Sequence, residues 1–194
     1  MNLTRLSLVV LLTVVVLYMG ARVFAASDPI PQVGQTAPTF TLPSQEGTSV
    51  SLDQYHGKWV VLYFYPKDMT SGCTIEAKNF QRDMSKFDAL NAVVLGVSVQ
   101  SVKSHQEFCT KDGLHFKLLA DTDNKVVEEY GSLGNYMGMK LAKRNTFLIN
   151  PEGKIAKEWI GVDPSHHSEE VLTAIQELQK SNSAHAELRD DTRP

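Results

Sequence analysis

Two uninterrupted apolar runs, residues 59–65 and 92–99, dominate the pattern of hydrophobic and polar positions along the chain. Each has the length and the β-branched and aromatic content of a strand that is buried on both faces of a sheet. Between them, apolar positions recur at the spacing of one buried helix face. Two buried strands joined by a helix predict parallel pairing with a right-handed crossover. The apolar positions of this helix are Ala77, Phe80, Met84 and Phe87.

The rest of the pattern predicts shorter elements. Alternating apolar and polar positions over residues 40–52 predict a hairpin. Ser101 and Gly113 are suited to cap the two ends of a helix over residues 102–112. Residues 132–143 have no clean period, so we expect a loop with at most one helical turn. The other predicted elements are a strand at 116–120, a helix at 125–130 capped by Asp121 or Asp123, strands at 145–149 and 154–159, and a last helix capped by Asp163, with Pro164 first and a buried stripe of Val171, Leu172, Ile175 and Leu178.

This order of elements predicts an α/β fold. A βαβ unit is followed by a helix and a β-hairpin, so that helices can cover both faces of one sheet. The order matches a thioredoxin-like sandwich, with a central mixed β-sheet, helices on both faces and an N-terminal β-hairpin. In sheets of this kind, ligands bind and reactions occur at the carboxyl ends of the strands.

Length and charge are those of one soluble domain. The 194 residues are 42% hydrophobic and carry a formal net charge of −3, which leaves no basic surface for nucleic acid. We predict a lead-in over residues 26–36 and a folded domain over residues 37–180. Residues 181–194 are polar and unpatterned, and they are predicted to form a disordered C-terminal tail.

The first 25 residues have the pattern of a signal peptide. Arg5 precedes an apolar run over residues 6–19, and small residues precede a cleavage point after Ala25. The run is shorter than the ~20 residues that span a bilayer. We therefore expect cleavage and export, most simply to the periplasm. The alternative is an uncleaved segment that anchors the domain to the membrane, which Arg22 disfavours.

The chain has two cysteines, Cys73 and Cys109. In an oxidising compartment such a pair is commonly a structural disulfide, and this alternative remains open on the count alone. Cys73, however, lies in a particular place. Pro66 ends the first buried strand, a turn follows, and Cys73 then falls in the first turn of the next helix. The helix dipole and the free backbone N–H groups there favour an anion, which predicts a nucleophilic thiolate.

The same segment resembles a known family. Pro66, three residues, Thr70, two residues and Cys73 form the motif of peroxiredoxins. The flanking residues 63–68 and 72–77 are similar to the PrxQ, or bacterioferritin-comigratory-protein, type. Further similarity covers roughly residues 32–180. The match of motif and context together makes the resemblance specific.

The resemblance implies a thiol peroxidase that needs no metal or other cofactor. Cys73 would attack a hydroperoxide, either hydrogen peroxide or an organic one, and become a sulfenic acid. Thr70 and Arg144 would donate hydrogen bonds to the peroxide oxygens. Pro66 would shield the pocket, and Glu76 would orient Arg144.

The resemblance also implies how the sulfenic acid is resolved. Many relatives carry a second cysteine five residues after the first, but this chain has Lys78 there. Another subset carries it on the following helix, where Cys109 falls, 36 residues after Cys73. The implied product is an intramolecular Cys73–Cys109 disulfide, which a thioredoxin-like protein would reduce and which a monomer can form. Ser71 stands where relatives often have proline, so the turn is expected to be looser.

Other functions remain as alternatives. An exported thiol–disulfide oxidoreductase of the same fold would need a Cys-x-x-Cys pair, which is absent around Cys73. A non-catalytic binding module with a structural disulfide is the second alternative. A cysteine protease would need a histidine beside Cys73, and His105 and His115 qualify only by residue type. The adjacent His166 and His167 point to different helix faces, so no metal site is predicted.

Overall fold

The computed structural model describes residues 30–190. The predicted signal peptide, residues 1–25, lies outside the described residues, as do residues 191–194. Within the described part, no helix is both long and apolar enough to cross a membrane.

A five-stranded mixed sheet forms the centre of the molecule. Its strands, in order across the sheet, are β5 (Lys117–Ala120), β4 (Ala92–Ser98), β3 (Trp59–Phe64), β8 (Asn145–Ile149) and β9 (Ile155–Ile160). The central strand β3 pairs in parallel with β4, and β4 pairs in parallel with β5, as the βαβ pattern predicts. On its other side β3 pairs antiparallel with β8, which pairs antiparallel with β9. The other strands are β1 (Thr41–Pro43), β2 (Ser49–Ser51), β6 (Leu133–Tyr136) and β7 (Met139–Ala142).

Helices cover both faces of this sheet. Side chains that alternate along β3 enter two separate cores, because successive residues of a strand point to opposite faces. The helices are α1 (Ser71–Arg82), α2 (Met84–Ala89), α3 (Val102–Asp112), α4 (Lys125–Glu129) and α5 (His167–Asp190), with a 3-10 helix at Leu52–Tyr55. Tyr63 packs in the core with α1, α2, α3 and α5, whereas Leu62 packs in the core with α4 and the β1–β2 hairpin. The predicted sandwich and its N-terminal hairpin are confirmed.

The helix after Cys73 is shorter than its apolar pattern suggests. It stops at Asp83, and the second helix α2 starts directly afterwards. The Asp83 carboxylate is buried and accepts hydrogen bonds from Arg82 (2.6 Å), Lys86 (2.9 Å) and Ser168 (2.7 Å). The break therefore allows one carboxylate to connect α1, α2 and α5. Phe80 and Phe87 are fully buried on the two sides of the break.

The predicted cap residues are confirmed for helix α3 and are wrong for helix α4. Helix α3 has the predicted bounds, with the Ser101 hydroxyl accepting the Ser104 N–H at 3.2 Å and Gly113 at φ +65°. Helix α4 begins after Asn124, which lies in the left-handed region at φ +62°. Neither Asp121 nor Asp123 is the cap residue. Asp121 instead accepts the Val127 N–H within the helix at 2.8 Å.

Residues 132–143 are a β-hairpin rather than the predicted loop. Strands β6 and β7 pair antiparallel around Met137 and Gly138, which have φ values of +52° and +87°. A two-residue turn with two positive φ values usually contains Asn or Asp before the glycine, and Met137 hides that signal. Tyr136 and Met139, next to the turn, are also exposed, so no alternating pattern marks the strands.

The last helix differs from the prediction at both ends. Asp163 accepts the Ser165 N–H at 2.9 Å in a turn, and α5 begins only at His167. Val171, Leu172 and Ile175 are buried as predicted. The helix then continues to Asp190, so the predicted disordered tail is wrong for residues 181–190. Extending a helix that is already nucleated costs little, and the segment contains no Gly or Pro that would end the helix.

Replacement of Asp83 should reveal how much this buried carboxylate contributes. Hydrogen bonds from Arg82, outweighing the opposing effect of burial, together with those from Lys86 and Ser168, hold the pKa of Asp83 well below its usual range. Asp83→Asn should lower the free energy of unfolding by about 1–3 kcal/mol at pH 7, as chemical denaturation would measure. Because a depressed pKa stabilises the fold only while the carboxylate is ionised, this difference should shrink as the pH falls below about 4. Exposed Asp88→Asn is the control, and an equal loss there would contradict the assignment.

Candidate active site

Cys73 lies where β3 ends and α1 begins. Thr70 occupies the N-cap position with extended backbone angles, and Ser71 is the first helical residue, so Cys73 is the third. The first intrahelical hydrogen bond is donated by the Thr74 N–H to the Thr70 carbonyl at 2.8 Å. The backbone N–H groups before it have no intrahelical acceptor and face outward from the helix end. The predicted placement of Cys73 in the first turn of the helix after the core strand is thus observed.

Arg144 reaches Cys73 from β8, which is the neighbour of β3 on the side opposite β4. Strand β8 runs antiparallel to β3, with Thr146 opposite Tyr63, so the amino end of β8 lies beside the carboxyl end of β3. Arg144 immediately precedes β8. Its Nη2 donates to Cys73 Sγ at 3.3 Å, which places a positive charge beside the sulfur and stabilises negative charge there.

Glu76 fixes the same guanidinium. It lies one turn after Cys73 on α1 and accepts a hydrogen bond from Arg144 Nη1 through Oε2. Glu76 is 1% exposed, and its other oxygen, Oε1, is buried without a hydrogen-bond partner among the described residues. Burial raises the pKa of Glu76 to about 7, although the charge and hydrogen bond of Arg144 act in the opposite direction. The side chain therefore titrates near neutral pH.

The Thr70 and Pro66 side chains do not contact the sulfur through hydrogen bonds. The Thr70 hydroxyl donates to the Lys67 carbonyl at 2.9 Å, within the turn, and does not cap α1. Pro66 is half-buried at the start of the turn. Donation from Thr70 to a bound peroxide and shielding by Pro66 remain predictions.

The sulfur is more enclosed than a surface nucleophile. Cys73 is 1% exposed. A Cβ built on Gly72 would lie 3.3 Å from Arg144 Nη2 and 3.7 Å from Pro164 Cγ, so the guanidinium and the proline lie directly over the first turn of α1. Gly72 leaves the room that Arg144 occupies.

Cys109 lies on α3, in the same core as Cys73. Both thiols are free, and no disulfide joins them in this structure. Burial, assisted by the charges of Asp68 and Glu46 and opposed by Lys117, raises the pKa of the Cys109 thiol to about 11. In contrast to Cys73, Cys109 has no cationic hydrogen-bond donor on its sulfur among the described residues, so it is held as a neutral thiol.

Two features of this region were not predicted from the sequence. Asp68, in the turn before Cys73, is buried with His105 of α3, so His105 partners a carboxylate rather than the sulfur a protease would require. The Tyr63 hydroxyl is buried without a partner within residues 30–190. Burial first, then the charges of Glu76, Cys73 and Cys109, raises its pKa. Asp68 follows a lysine in a polar turn, and Tyr63 lies in an apolar run. Neither local pattern indicates that Asp68 would pair with His105 or that the Tyr63 hydroxyl would be buried.

His166 and His167 do not lie together at a ligand site. His167 is fully buried and forms a hydrogen bond with the Thr146 hydroxyl at 2.8 Å, and burial lowers its pKa to about 4. His166 is exposed. In the part of the chain that the structure describes, no group of three or more His, Cys, Asp and Glu side chains is arranged to hold a metal ion.

Comparison with known proteins agrees with this geometry. Residues 33–158 match the AhpC/TSA family model. A putative peroxiredoxin bcp of Coxiella burnetii is 49% identical over 145 residues, which is 73% of this chain and 96% of the relative. Peroxiredoxin Bcp of Bacillus subtilis is 40% identical over 156 residues, covering 77% of this chain and 98% of the relative.

Solved structures give the same result. A Xylella fastidiosa PrxQ mutant superposes with a TM-score of 0.70 at 35% identity, covering 80% of this chain and 98% of the other. Peroxidoxin BcpB of Mycobacterium tuberculosis has a TM-score of 0.71 at 29% identity, covering 75% and 97%.

A cysteine at a helix start that accepts a hydrogen bond from an arginine, on a thioredoxin-like sheet, agrees with these comparisons. The chain belongs to the AhpC/TSA family and, within it, to the peroxiredoxins of the Bcp/PrxQ type. The family resemblance noted in the sequence, and the enzyme class that it implied, are confirmed.

Glu76→Gln should separate the orientation of Arg144 from the chemistry of Cys73. Glutamine preserves the shape but removes the charge that positions the guanidinium, so the rate constant for peroxide should fall by up to about a hundredfold, as stopped-flow kinetics would measure. In the wild type, this rate constant should increase as the pH rises through 7 and Glu76 ionises, and the variant should lack that increase.

The free energy of unfolding should also depend on pH through the ionisation of Glu76. Because the folded-state pKa of Glu76 is raised, the wild type should lose stability as the pH increases from about 4.5 to 7, and Glu76→Gln should lose less. Glu177→Gln, an exposed carboxylate on α5, is the control. An unchanged pH profile in Glu76→Gln would show that Glu76 does not act through its charge.

Proposed function

We propose that this peroxiredoxin reduces hydrogen peroxide and organic hydroperoxides at Cys73 and that Cys109 resolves the oxidised product. The observation that carries the proposal is the 3.3 Å contact of the Arg144 guanidinium with the Cys73 sulfur at the start of α1. Alkyl peroxide reduction activity is described for the bacterioferritin comigratory protein of Xanthomonas campestris, a relative of known structure, and this supports the substrate class.

In the first step, the Cys73 thiolate attacks one oxygen of the O–O bond. A new S–O bond forms, the O–O bond breaks, and the other oxygen leaves as water or an alcohol after taking up the proton that the Cys73 thiol released on ionisation. Arg144 donates to the oxygens as negative charge moves onto them, and Thr70 provides a second donor by rotation of its exposed hydroxyl. The sulfur is oxidised by two electrons to the sulfenic acid.

In the second step, the Cys109 thiol condenses with the Cys73 sulfenic acid. The S–S bond forms and water leaves, which consumes the thiol proton and the sulfenic hydroxyl. A thioredoxin-like protein then returns two electrons by thiol–disulfide exchange. Both cysteines belong to one chain, so a monomer can complete this cycle.

The proposed cycle includes movement of α3 as its own expectation, because Cys73 and Cys109 are free, buried thiols on separate helices. The S–S bond is about 2.05 Å long, whereas each thiol is buried on its own helix and the two are unbonded. Helix α3 is also anchored beyond Cys109, because the His115 N–H donates to Gln81 Oε1 of α1 at 2.7 Å. Local opening of α3 is therefore part of the proposed cycle.

We also propose that the enzyme acts outside the cytoplasm, in the periplasm. The support is the apolar run over residues 6–19 behind Arg5 and the small residues before position 26. Retention of the segment as a membrane anchor is the alternative outcome.

The division of labour between the cysteines is testable by thiol titration. Reduced wild-type protein mixed with hydrogen peroxide should lose two thiols per chain, with a second-order rate constant of about 10⁴ M⁻¹s⁻¹ or more. Cys109→Ser should lose one thiol at the same rate and accumulate a sulfenic acid that a 1,3-diketone reagent traps. Cys73→Ser is the matched control and should not lose its remaining thiol rapidly. Rapid peroxide consumption by Cys73→Ser would overturn the proposal.

Export is testable on the full chain expressed in a Gram-negative host. Mass spectrometry of the periplasmic fraction should find a mature protein that starts at Ala26. Deletion of residues 2–25 should leave the protein in the cytoplasm. Full-length protein in the membrane fraction would instead support the anchor, and full-length protein in the cytoplasm would contradict export.

A further inference from the structure

A buried carboxylate outside the peroxide contacts has three hydrogen-bonding partners. Asp68 Oδ1 accepts from the Tyr65 hydroxyl at 2.7 Å. Asp68 Oδ2 accepts from the Ser104 hydroxyl at 2.5 Å and lies 2.9 Å from His105 Nδ1. Asp68 is 4% exposed and His105 is fully buried. We call these four side chains the Asp68 cluster.

The cluster joins the two segments that carry the cysteines. Asp68 belongs to the turn between β3 and α1, five residues before Cys73. Ser104 and His105 lie in the first turn of α3, and His105 precedes Cys109 by four residues, one helical turn. One carboxylate thus holds the amino end of the Cys109 helix against the Cys73 turn.

His105 extends this connection to the sheet. Its Nε2 lies 3.1 Å from the Leu119 carbonyl of β5, on the opposite side of the ring from Asp68. The imidazole therefore bridges the turn and β5 and cannot rotate without losing both contacts. These two contacts therefore hold the amino end of α3 in one defined position.

The partners stabilise the charged carboxylate. Burial opposes the charge, but hydrogen bonds from His105, Ser104 and Tyr65 outweigh it and hold the pKa of Asp68 below its usual value. Hydrogen bonds to a buried charge are stronger than those between neutral groups. The ion pair at the other end of α3 is weaker, because Lys78, which pairs with Asp112 at 3.0 Å, is more than half exposed.

We propose that Asp68 is a latch between the Cys73 turn and helix α3, and that its release from Ser104 and His105 sets the rate at which Cys109 reaches oxidised Cys73. Asp68 is a positioning residue in this role, since it touches neither the peroxide nor the sulfurs. The inference rests on the proposed function of Cys109.

Release of the latch has a second effect on the same step. The negative charge of Asp68 is, after burial, the next contribution that raises the pKa of the Cys109 thiol. When α3 opens, Cys109 leaves both the buried environment and the carboxylate. The movement that brings the thiol to Cys73 therefore also makes its thiolate easier to form.

The latch also sets the balance between resolution and overoxidation. While α3 is closed, the Cys73 sulfenic acid has no thiol partner, and a second peroxide can oxidise it to the sulfinic acid. A slower release should therefore increase the sulfinic fraction at a given peroxide concentration. A faster release should decrease it.

Ser104→Val and Ser104→Thr form a matched pair for the test. Both add a branched Cβ of nearly the same shape, but only threonine retains the hydroxyl that reaches Asp68. After one equivalent of hydrogen peroxide, disulfide formation followed by quenched-flow alkylation should be about tenfold faster in Ser104→Val than in Ser104→Thr. The rate of the first oxidation, measured by peroxide consumption, should be equal in the two variants.

Two further measurements distinguish a latch from general loosening. Amide hydrogen exchange should accelerate in α3 of Ser104→Val, but not in α2. Lys103→Ala, which removes an exposed ion pair with Glu107 on the same helix, should leave disulfide formation unchanged. Under excess peroxide, Ser104→Val should accumulate about tenfold less sulfinic acid than Ser104→Thr.

The outcomes separate this proposal from the proposed function. If the wild type forms no Cys73–Cys109 disulfide, the role of Cys109 fails. If the wild type forms it and the two Ser104 variants resolve at equal rates, the latch is overturned while the role of Cys109 stands. A slower first oxidation in Ser104→Val alone would assign Asp68 to the peroxide pocket and would also overturn the latch.

Discussion

The contact between the Arg144 guanidinium and the Cys73 sulfur is the interaction on which the rest of the site depends. The two residues are brought together only because β8 pairs antiparallel with β3, so that the start of one strand lies beside the end of the other. Glu76 then holds the guanidinium through its second nitrogen. A charged arginine that is mostly buried is costly, and the carboxylate and the sulfur offset that cost.

The sheet supplies the rigidity that this contact needs. Every residue of β3 is buried, and its side chains alternate between two packed cores, so the strand cannot shift without disturbing both. The carboxyl end of β3 therefore presents the turn and the start of α1 at a fixed position. In contrast, α3 lies on one face only, where Phe108 and Cys109 enter the core and polar side-chain contacts attach its two ends. The molecule thus places Cys73 at a fixed point of the sheet and Cys109 on a helix that covers one face.

Local sequence signals were sufficient where neighbouring residues decide the structure. The buried strands, the helix start at Cys73 and the capped helix α3 were predicted because their apolar periodicity and caps lie within a few residues. The break at Asp83, the turn at Met137 and the delayed start of α5 were missed because distant partners or an unusual turn residue decide them. Arg144 was placed by family resemblance, and the Asp68 cluster was missed because no local pattern relates Asp68 to His105.

The β6–β7 hairpin is closed at its base. The Lys143 N–H donates to the Ser132 carbonyl at 2.6 Å, and the Asn145 amide donates to the Ser132 hydroxyl at 3.0 Å, directly on either side of Arg144. The tip around Met137 is fully exposed and is mechanically separated from the guanidinium by this closure. A change in the length or the charge of the tip should therefore leave the contact between Arg144 and Cys73 in place.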